Sequence, residues 1–266
     1  AVQWADRAGF EQRRTASAAA GNLRGMGVTC FLETARGANE EGAEVNFRPD
    51  GTIELRLGTE SNGQGHETAF SQIAADTFGL PLETFHYIQA DTSQTRAGNG
   101  HGGARSMHMG GSALVAAMAA ALAKARPIAA QMLQANADAL EFAGGDFRVA
   151  GTEQTVSLLD VAAAARDPNM TAGEGLDSYE RRDDAPFTFP SGCHVAEVEI
   201  DRETGVPRLV RYLMVDDYGR QINPALTEGQ VHGGITQGIG QAMLEEVIYD
   251  PETAQLLSGT LMDYTV

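Results

Sequence analysis

The residues best suited to chemistry in this sequence sit in two glycine-rich segments. The first is Gly63-Gln64-Gly65-His66-Glu67-Thr68, inside the run GTESNGQGHETAFSQIAADTFGL (58–80). The second, GNGHGGARSMHMGG (98–111), carries Arg105 and Ser106. Each leads straight into a helical pattern, one from about Glu67 with Phe70, Ile73, Ala74 and Thr77 on a shared face, the other from near Ser106. A loop of this kind leaves several backbone N–H groups unpaired and aimed at one point, where the helix dipole adds partial positive charge. An anion suits such a place. Two of them suit a ligand with more than one anionic or polar anchor, such as a pyrophosphate carrying a nucleotide. Glycines before a helix also read as plain tight turns. The polar residues that follow them here favour ligand binding.

Three further features bear on the site. Asp91 and Thr92 follow a strand-like run, ETFHYIQ (83–89), and Asp91 either accepts from a base amine or caps the next turn. In the stretch 216–246, Asn223 before Pro224 supplies an N-cap and a first-turn proline. Gly229 and Gly233, then Gly234 and Gly238, recur at i and i+4 and leave a smooth stripe. Each glycine inside a helix costs about 1 kcal/mol against alanine. The stripe therefore serves close helix packing or contact with a flat ligand, with Gln230 and Gln237 on a neighbouring face.

Other chemistries lack their residues. The six histidines form no H-x-x-E-H or H-x-x-x-H pair, which argues against protein-held zinc. No G-x-S-x-G elbow supports serine hydrolysis. Cys30 and Cys193 lie far apart, fit no metal spacing, and read as buried reduced thiols of a cytosolic protein. With a formal net charge of −17 and only Arg13-Arg14 and Arg181-Arg182 as basic runs, nucleic acid is not an expected partner. The start, AVQWADRAGFEQRR, has no apolar signal core, and the apolar run 113–123 is too short to span a bilayer. A cytoplasmic location without a membrane span is expected.

The elements that must position the loops read as follows. Residues 1–20 form a helix closed by Gly21, and 23–35 a buried strand. A half-exposed strand at 43–47 turns at Pro49-Asp50-Gly51 into its hairpin partner 52–57, which delivers the chain to the first loop. A helix from 106 to about 126 is apolar on nearly all sides, with Pro127 kinking it or opening another helix to about 141. Then come a hairpin at 144–156, a helix at 157–165 capped by Ser157, and a loop at 166–182. A second hairpin pairs 193–201 with 207–215. The fold class is α+β, mixed sheets packed with helices. A seam at 166–190 divides a first lobe, 1–165, from a second, 191–266.

Taken together, GQGHET (63–68), ADT (90–92), GGARS (102–106) and above all VDDYGRQINPALTEGQVHGGITQGIGQAMLEE (215–246) resemble the large subunit of molybdenum hydroxylases. This is the xanthine dehydrogenase/aldehyde oxidase superfamily, which includes aerobic carbon monoxide dehydrogenase. The likeness runs along essentially the whole chain, and the last motif is its most specific part. It implies a molybdopterin cytosine dinucleotide held at Gly63, Gln64, Gly65, His66, Glu67 and Thr68. Asp91, Thr92, Arg105 and Ser106 would add polar contacts nearby, with molybdenum held by the pterin and not by protein side chains; Gln230 and Gln237 join the cofactor-binding candidates from the glycine-stripe pattern. It implies a parent enzyme that oxidises an aldehyde, an N-heterocycle or CO with water-derived oxygen and passes electrons to iron–sulfur and FAD subunits. The family's glutamate base has no match here, and Glu245 and Glu246 belong to the glycine-helix motif, so no catalytic residue is assigned. A piece of a larger subunit, inactive alone, is the expectation. A scaffold module and an unrelated nucleotide-binding enzyme with convergent loops are the alternatives.

Overall fold

The computed structural model describes residues 1–37, 40–170 and 175–266. In chain order its elements begin with helix α1 (Phe10–Ala19), strands β1 (Asn22–Leu32), β2 (Glu41–Phe47) and β3 (Ile53–Leu57), and helix α2 (His66–Phe78). Strand β4 (Phe85–Ile88) and helix α3 (Gly111–Leu133) follow, then strands β5 (Leu140–Ala143), β6 (Asp146–Val149) and β7 (Thr155–Ser157). Helix α4 (Leu158–Ala164), strands β8 (Ser178–Arg182), β9 (Ser191–Asp201) and β10 (Pro207–Asp217), and helix α5 (Pro224–Met243) complete the chain. They form two units, Thr34–Phe189 and Ala1–Glu33 with Pro190–Val266. The linear split expected at 166–190 misplaces the N-terminal residues, because β1 pairs along its whole length with β9.

In Thr34–Phe189 the sheet runs β4-β3-β2-β8. Asp50 accepts from the Thr52 amide (3.0 Å) and hydroxyl (2.7 Å), and Gly51 takes the left-handed φ of 86° that the β2–β3 turn needs. Strand β2, expected to be half-exposed, is buried almost throughout. It lies between β3 and β8, and α3 covers it. The strand β8 falls in what the sequence reads as loop, since SYERR has little of the apolar alternation that marks a strand.

Helix α3 runs unbroken past Pro127. The residue one turn before, Ala123, is exposed, so water can reach the carbonyl that the proline leaves without its donor. Burial follows one face, Leu114, Ala117, Met118, Ala121, Ala125 and Ile128, while Val115 is exposed; the helix is half-buried and not enclosed on all sides. By length and composition Ser106–Leu133 could cross a membrane, but half of its most apolar window is buried inside the protein. Ser157 caps α4 as expected, accepting from the Asp160 amide at 3.0 Å.

In the other unit the sheet runs β1-β9-β10. The β9–β10 hairpin is the expected one, with one irregularity between Leu209 and Arg211. Helix α1 begins only at Phe10, since residues 1–9 form turns in which Asp6 and the Ala5 carbonyl hold Arg13. Strand β1 is largely exposed and not the buried strand its apolar content suggests, because it lies at the sheet's edge. Asn223 caps α5 through the Leu226 amide at 3.0 Å, with Pro224 in the first turn.

Candidate functional site

Strand β3 ends at Leu57, and the next residue brings the two glycine segments together. Gly58 lies so close to Ala97 and Gly98 that a Cβ on either glycine would overlap the other's backbone. Only glycine permits this approach. The junction is tied on either side. The Thr59 and Ser106 hydroxyls share a short hydrogen bond, and the Tyr87 hydroxyl donates to the Thr59 carbonyl at 2.7 Å. Further out, Asn62 Nδ2 meets His101 Nε2 at 3.4 Å. The segments, about 35 residues apart in sequence, thus make one place.

The first loop is held from within. Gln64 Oε1 accepts from the Asn62 amide (2.6 Å) and the Ser61 hydroxyl (3.1 Å), and Gln89 Oε1 accepts from the Ser61 amide at 2.6 Å. Gly63 and Gly65 take φ of 123° and 76°, which L side chains rarely adopt. Gly65 is the residue before α2 and no side chain caps it. The amides of His66, Glu67 and Thr68 therefore have no acceptor within the helix, and Glu67 and Thr68 are exposed. His66 is 4 % exposed, its ring lies 5.3 Å from that of Phe70, and its Nδ1 is buried without a partner. Burial, and then the nearby His101, hold its pKa below the usual imidazole value. The unpartnered His66 Nδ1 and the first-turn amides, which have no acceptor within the helix, are the unsatisfied polar groups of this segment.

The second loop is shaped by Arg105, which is fully buried. Its Nη1 donates to the Glu41 carboxylate and to the Gly100 carbonyl (2.6 Å), and Nη2 donates to the Glu40 carbonyl. These bonds fold the guanidinium under its own loop, so it acts as the loop's anchor. Gly100 and Gly103 adopt φ of 66° and 87°, and a Cβ at Gly63, Gly100 or Gly102 would meet nothing within 4 Å. The loops are tight where they join and open where they face outward.

The remaining sequence-derived residues fall in three places. Ser106 stands at the junction through Thr59. Asp91 takes the capping role: it accepts from the Ser93 hydroxyl (2.6 Å), the Ser93 amide (2.9 Å) and Gln94 Nε2 (2.5 Å). These bonds, the Ser93 hydroxyl first, hold its carboxyl below the usual range. Thr92 beside it is exposed. Gln230 and Gln237 belong to the other unit and are exposed on α5, where a Cβ on Gly229, Gly233, Gly234 or Gly238 would meet nothing.

Four residues that shape the site are absent from the sequence reading: Glu41, Thr59, Tyr87 and Gln89. Glu41 lies in the run EEGAEV, which reads as surface charge, and only its partner Arg105 shows that it is buried. Tyr87 and Gln89 belong to a strand pattern whose alternation gives their face but not their hydrogen bonds. The thiols depart from expectation too. Cys30 is exposed and Cys193 partly exposed, because they lie on a sheet and not in a core.

The donor set fits a phosphate-bearing heterocyclic cofactor: open first-turn amides, a buried unpartnered imidazole nitrogen, and glycines whose outward side is empty. Comparison with known proteins bears on the same point. The model of the molybdopterin cofactor-binding domain family matches residues 3–266. The chain is 35% identical over 255 residues to the carbon monoxide dehydrogenase large chain of Hydrogenophaga pseudoflava, covering 91% of this chain and 32% of that one. It is 34% identical over 253 residues to a putative xanthine dehydrogenase molybdenum-binding subunit of Escherichia coli K12, covering 92% and 33%. Its backbone matches quinoline 2-oxidoreductase from Pseudomonas putida 86 with a TM-score of 0.89 at 31% identity, over 100% of this chain and 36% of that one. The chain spans about a third of the length of the curated relatives it matches.

Proposed function

The chain belongs to the molybdopterin cofactor-binding domain family, and on that premise we propose that its two joined glycine loops hold a molybdopterin dinucleotide, in the cytosine form, within a molybdenum hydroxylase. The observation that carries this reading is the Gly58–Gly98 contact, which makes one anchoring place of two sequence-distant loops. The His66, Glu67 and Thr68 amides take the pyrophosphate, with the α2 dipole adding to their pull. His66 offers a neutral ring nitrogen to a polar group of the ligand. Gly63, Gly100 and Gly102 leave room for the backbone to approach it. Gln64, Gln89 and Arg105 hold the two loops in shape.

Bound molybdenum supplies the two-electron chemistry, and this chain supplies binding and orientation. The longer protein oxidises an aldehyde, an N-heterocycle or CO with oxygen from water, and its electrons leave through iron–sulfur and FAD subunits. The relatives' names support the CO and N-heterocycle parts of that range: one is a carbon monoxide dehydrogenase, one a putative xanthine dehydrogenase and one a quinoline oxidoreductase. No residue of this chain is given a catalytic role. Glu245 accepts from the Tyr264 hydroxyl at 2.6 Å and is accounted for by that bond. The 266 residues alone are expected to show no turnover.

The test is made on the longer protein purified from its own source, by measuring molybdenum and the nucleotide released by acid. Near-stoichiometric molybdenum with CMP supports the reading. Molybdenum with another nucleotide keeps the cofactor class and overturns the cytosine form. Folded protein with neither overturns the proposal.

A further inference from the structure

Cys30 and Cys193 are direct partners across the antiparallel β1–β9 pair. The type of pairing follows from a neighbour. The Glu33 amide donates to the Pro190 carbonyl at 2.9 Å, which marks Glu33 and Pro190 as a hydrogen-bonded pair. Pairs alternate along an antiparallel ladder, and the register is unbroken from Leu32–Ser191 to Asn22–Asp201. Phe31–Gly192 is therefore hydrogen-bonded and Cys30–Cys193 is not. Non-hydrogen-bonded partners have Cα atoms about 4.5 Å apart with side chains close together. That separation lies within the roughly 4.4–6.8 Å spanned by disulfides.

We propose that Cys30 and Cys193 form a reversible disulfide across β1 and β9 when the protein meets a peroxide. The pairing sets the two thiols side by side, and the interaction with the Cys30 side chain, ahead of burial, raises the Cys193 pKa. Cys30 is the exposed member and Cys193 the more sheltered one. The chemistry assigns their roles. The Cys30 thiolate attacks one peroxide oxygen and breaks the O–O bond, leaving a sulfenic acid and releasing hydroxide. The Cys193 sulfur then attacks the Cys30 sulfur and displaces the sulfenic hydroxyl, which leaves with a proton as water. Two thiols and one hydrogen peroxide become one disulfide and two waters. The bond ties the N-terminal strand to the strand that opens Pro190–Val266, closing a loop that contains all of Thr34–Phe189. Cross-links that close long loops restrict the unfolded chain, so the oxidised form unfolds at a higher temperature.

The experiment treats the reduced 266-residue chain with equimolar hydrogen peroxide and follows free thiols, non-reducing peptide maps and the thermal midpoint. The expected result is loss of both thiols together, a single linked peptide joining Cys30 to Cys193, and a raised midpoint that reverts with dithiothreitol. Cys30→Ser, a small change at an exposed position, abolishes the linked peptide and the shift. Thiols that stay titratable, that oxidise separately to sulfinic acids, or that bridge only between molecules overturn the proposal.

Discussion

The two units are held together by different forces. Among the described residues, the buried apolar side chains fall almost entirely in Thr34–Phe189; the other unit contributes only Ala5, Phe10 and Val195. In place of a core it has a carboxylate ringed by guanidinium groups. Glu197, 1 % exposed, accepts from Arg13 (2.6 and 3.1 Å), Arg24 (2.9 Å) and Arg211 (3.4 Å), which tie α1, β1 and β10 onto β9. Its apolar residues are often at the surface, as at Trp4, Leu261 and Met262. The lesson concerns the site. The glycine loops are rooted in the unit that carries the apolar core, one leading from β3 into α2 and the other toward α3.

Cutting into that core separates the units most sharply. Phe70→Ala removes a fully buried ring beneath His66 and is expected to cost about 3–5 kcal/mol. Denaturant unfolding checks it, and hydrogen exchange should show protection lost across Thr34–Phe189 while the β9–β10 amides keep theirs. A loss shared equally by both units would break the comparison.

The ionic unit gives the next effect. Glu197→Gln keeps the shape and one acceptor but removes the charge that three arginines share, an expected loss of about 1.5–3 kcal/mol. The Arg13 hydrogen bond, opposed by burial and reinforced by Arg24, lowers the Glu197 pKa from 4.5 to about 2. Because the folded pKa is the lower one, the carboxylate's contribution is whole above pH 4.5 and disappears as pH falls to about 2. Denaturation midpoints across that window should fall more steeply for the wild type than for Glu197→Gln. Parallel slopes would remove Glu197 from the account.

How much of this was legible beforehand depends on the range of the interaction. The hairpin turn at Asp50-Gly51, the Ser157 and Asn223 caps and the β9–β10 alternation are local, written in a few neighbouring residues, and the structure has them. Both glycine loops were legible as helix-leading turns for the same reason. Their meeting at Gly58–Gly98 was not, since it depends on how β3 and β4 lie side by side. Arg105 shows the limit well. Its position in a glycine loop suggests a ligand contact, but its partner Glu41 lies 64 residues away and turns it into a buried anchor. Burial misled at β1 and β2 because apolar content does not say which strand becomes an edge and which lies inside a sheet.

A smaller effect tests the site's own histidine. Burial lowers the His66 pKa, so the unfolded chain takes up a proton that the folded one resists. Its contribution is whole above the unfolded value of about 6.5 and is lost as pH falls toward the lowered folded value. The stability of His66→Asn should therefore vary less than the wild type's between pH 7.5 and 5.5, with denaturation midpoints as the check. The least effect belongs to the exposed unit. Met262 is 93 % exposed, and Met262→Ser should change stability by no more than about 0.5 kcal/mol. A large loss there would show a core in that unit after all.

The central claim is that two distant glycine loops make one anchoring place for a nucleotide-bearing cofactor. Its most direct test is backbone hydrogen exchange on the 266-residue chain, with and without saturating cytidine diphosphate. The account predicts slowed exchange in both 61–68 and 98–106 at the same ligand concentration, with Gly98→Val abolishing both. Protection of one segment alone, or of neither, would contradict it.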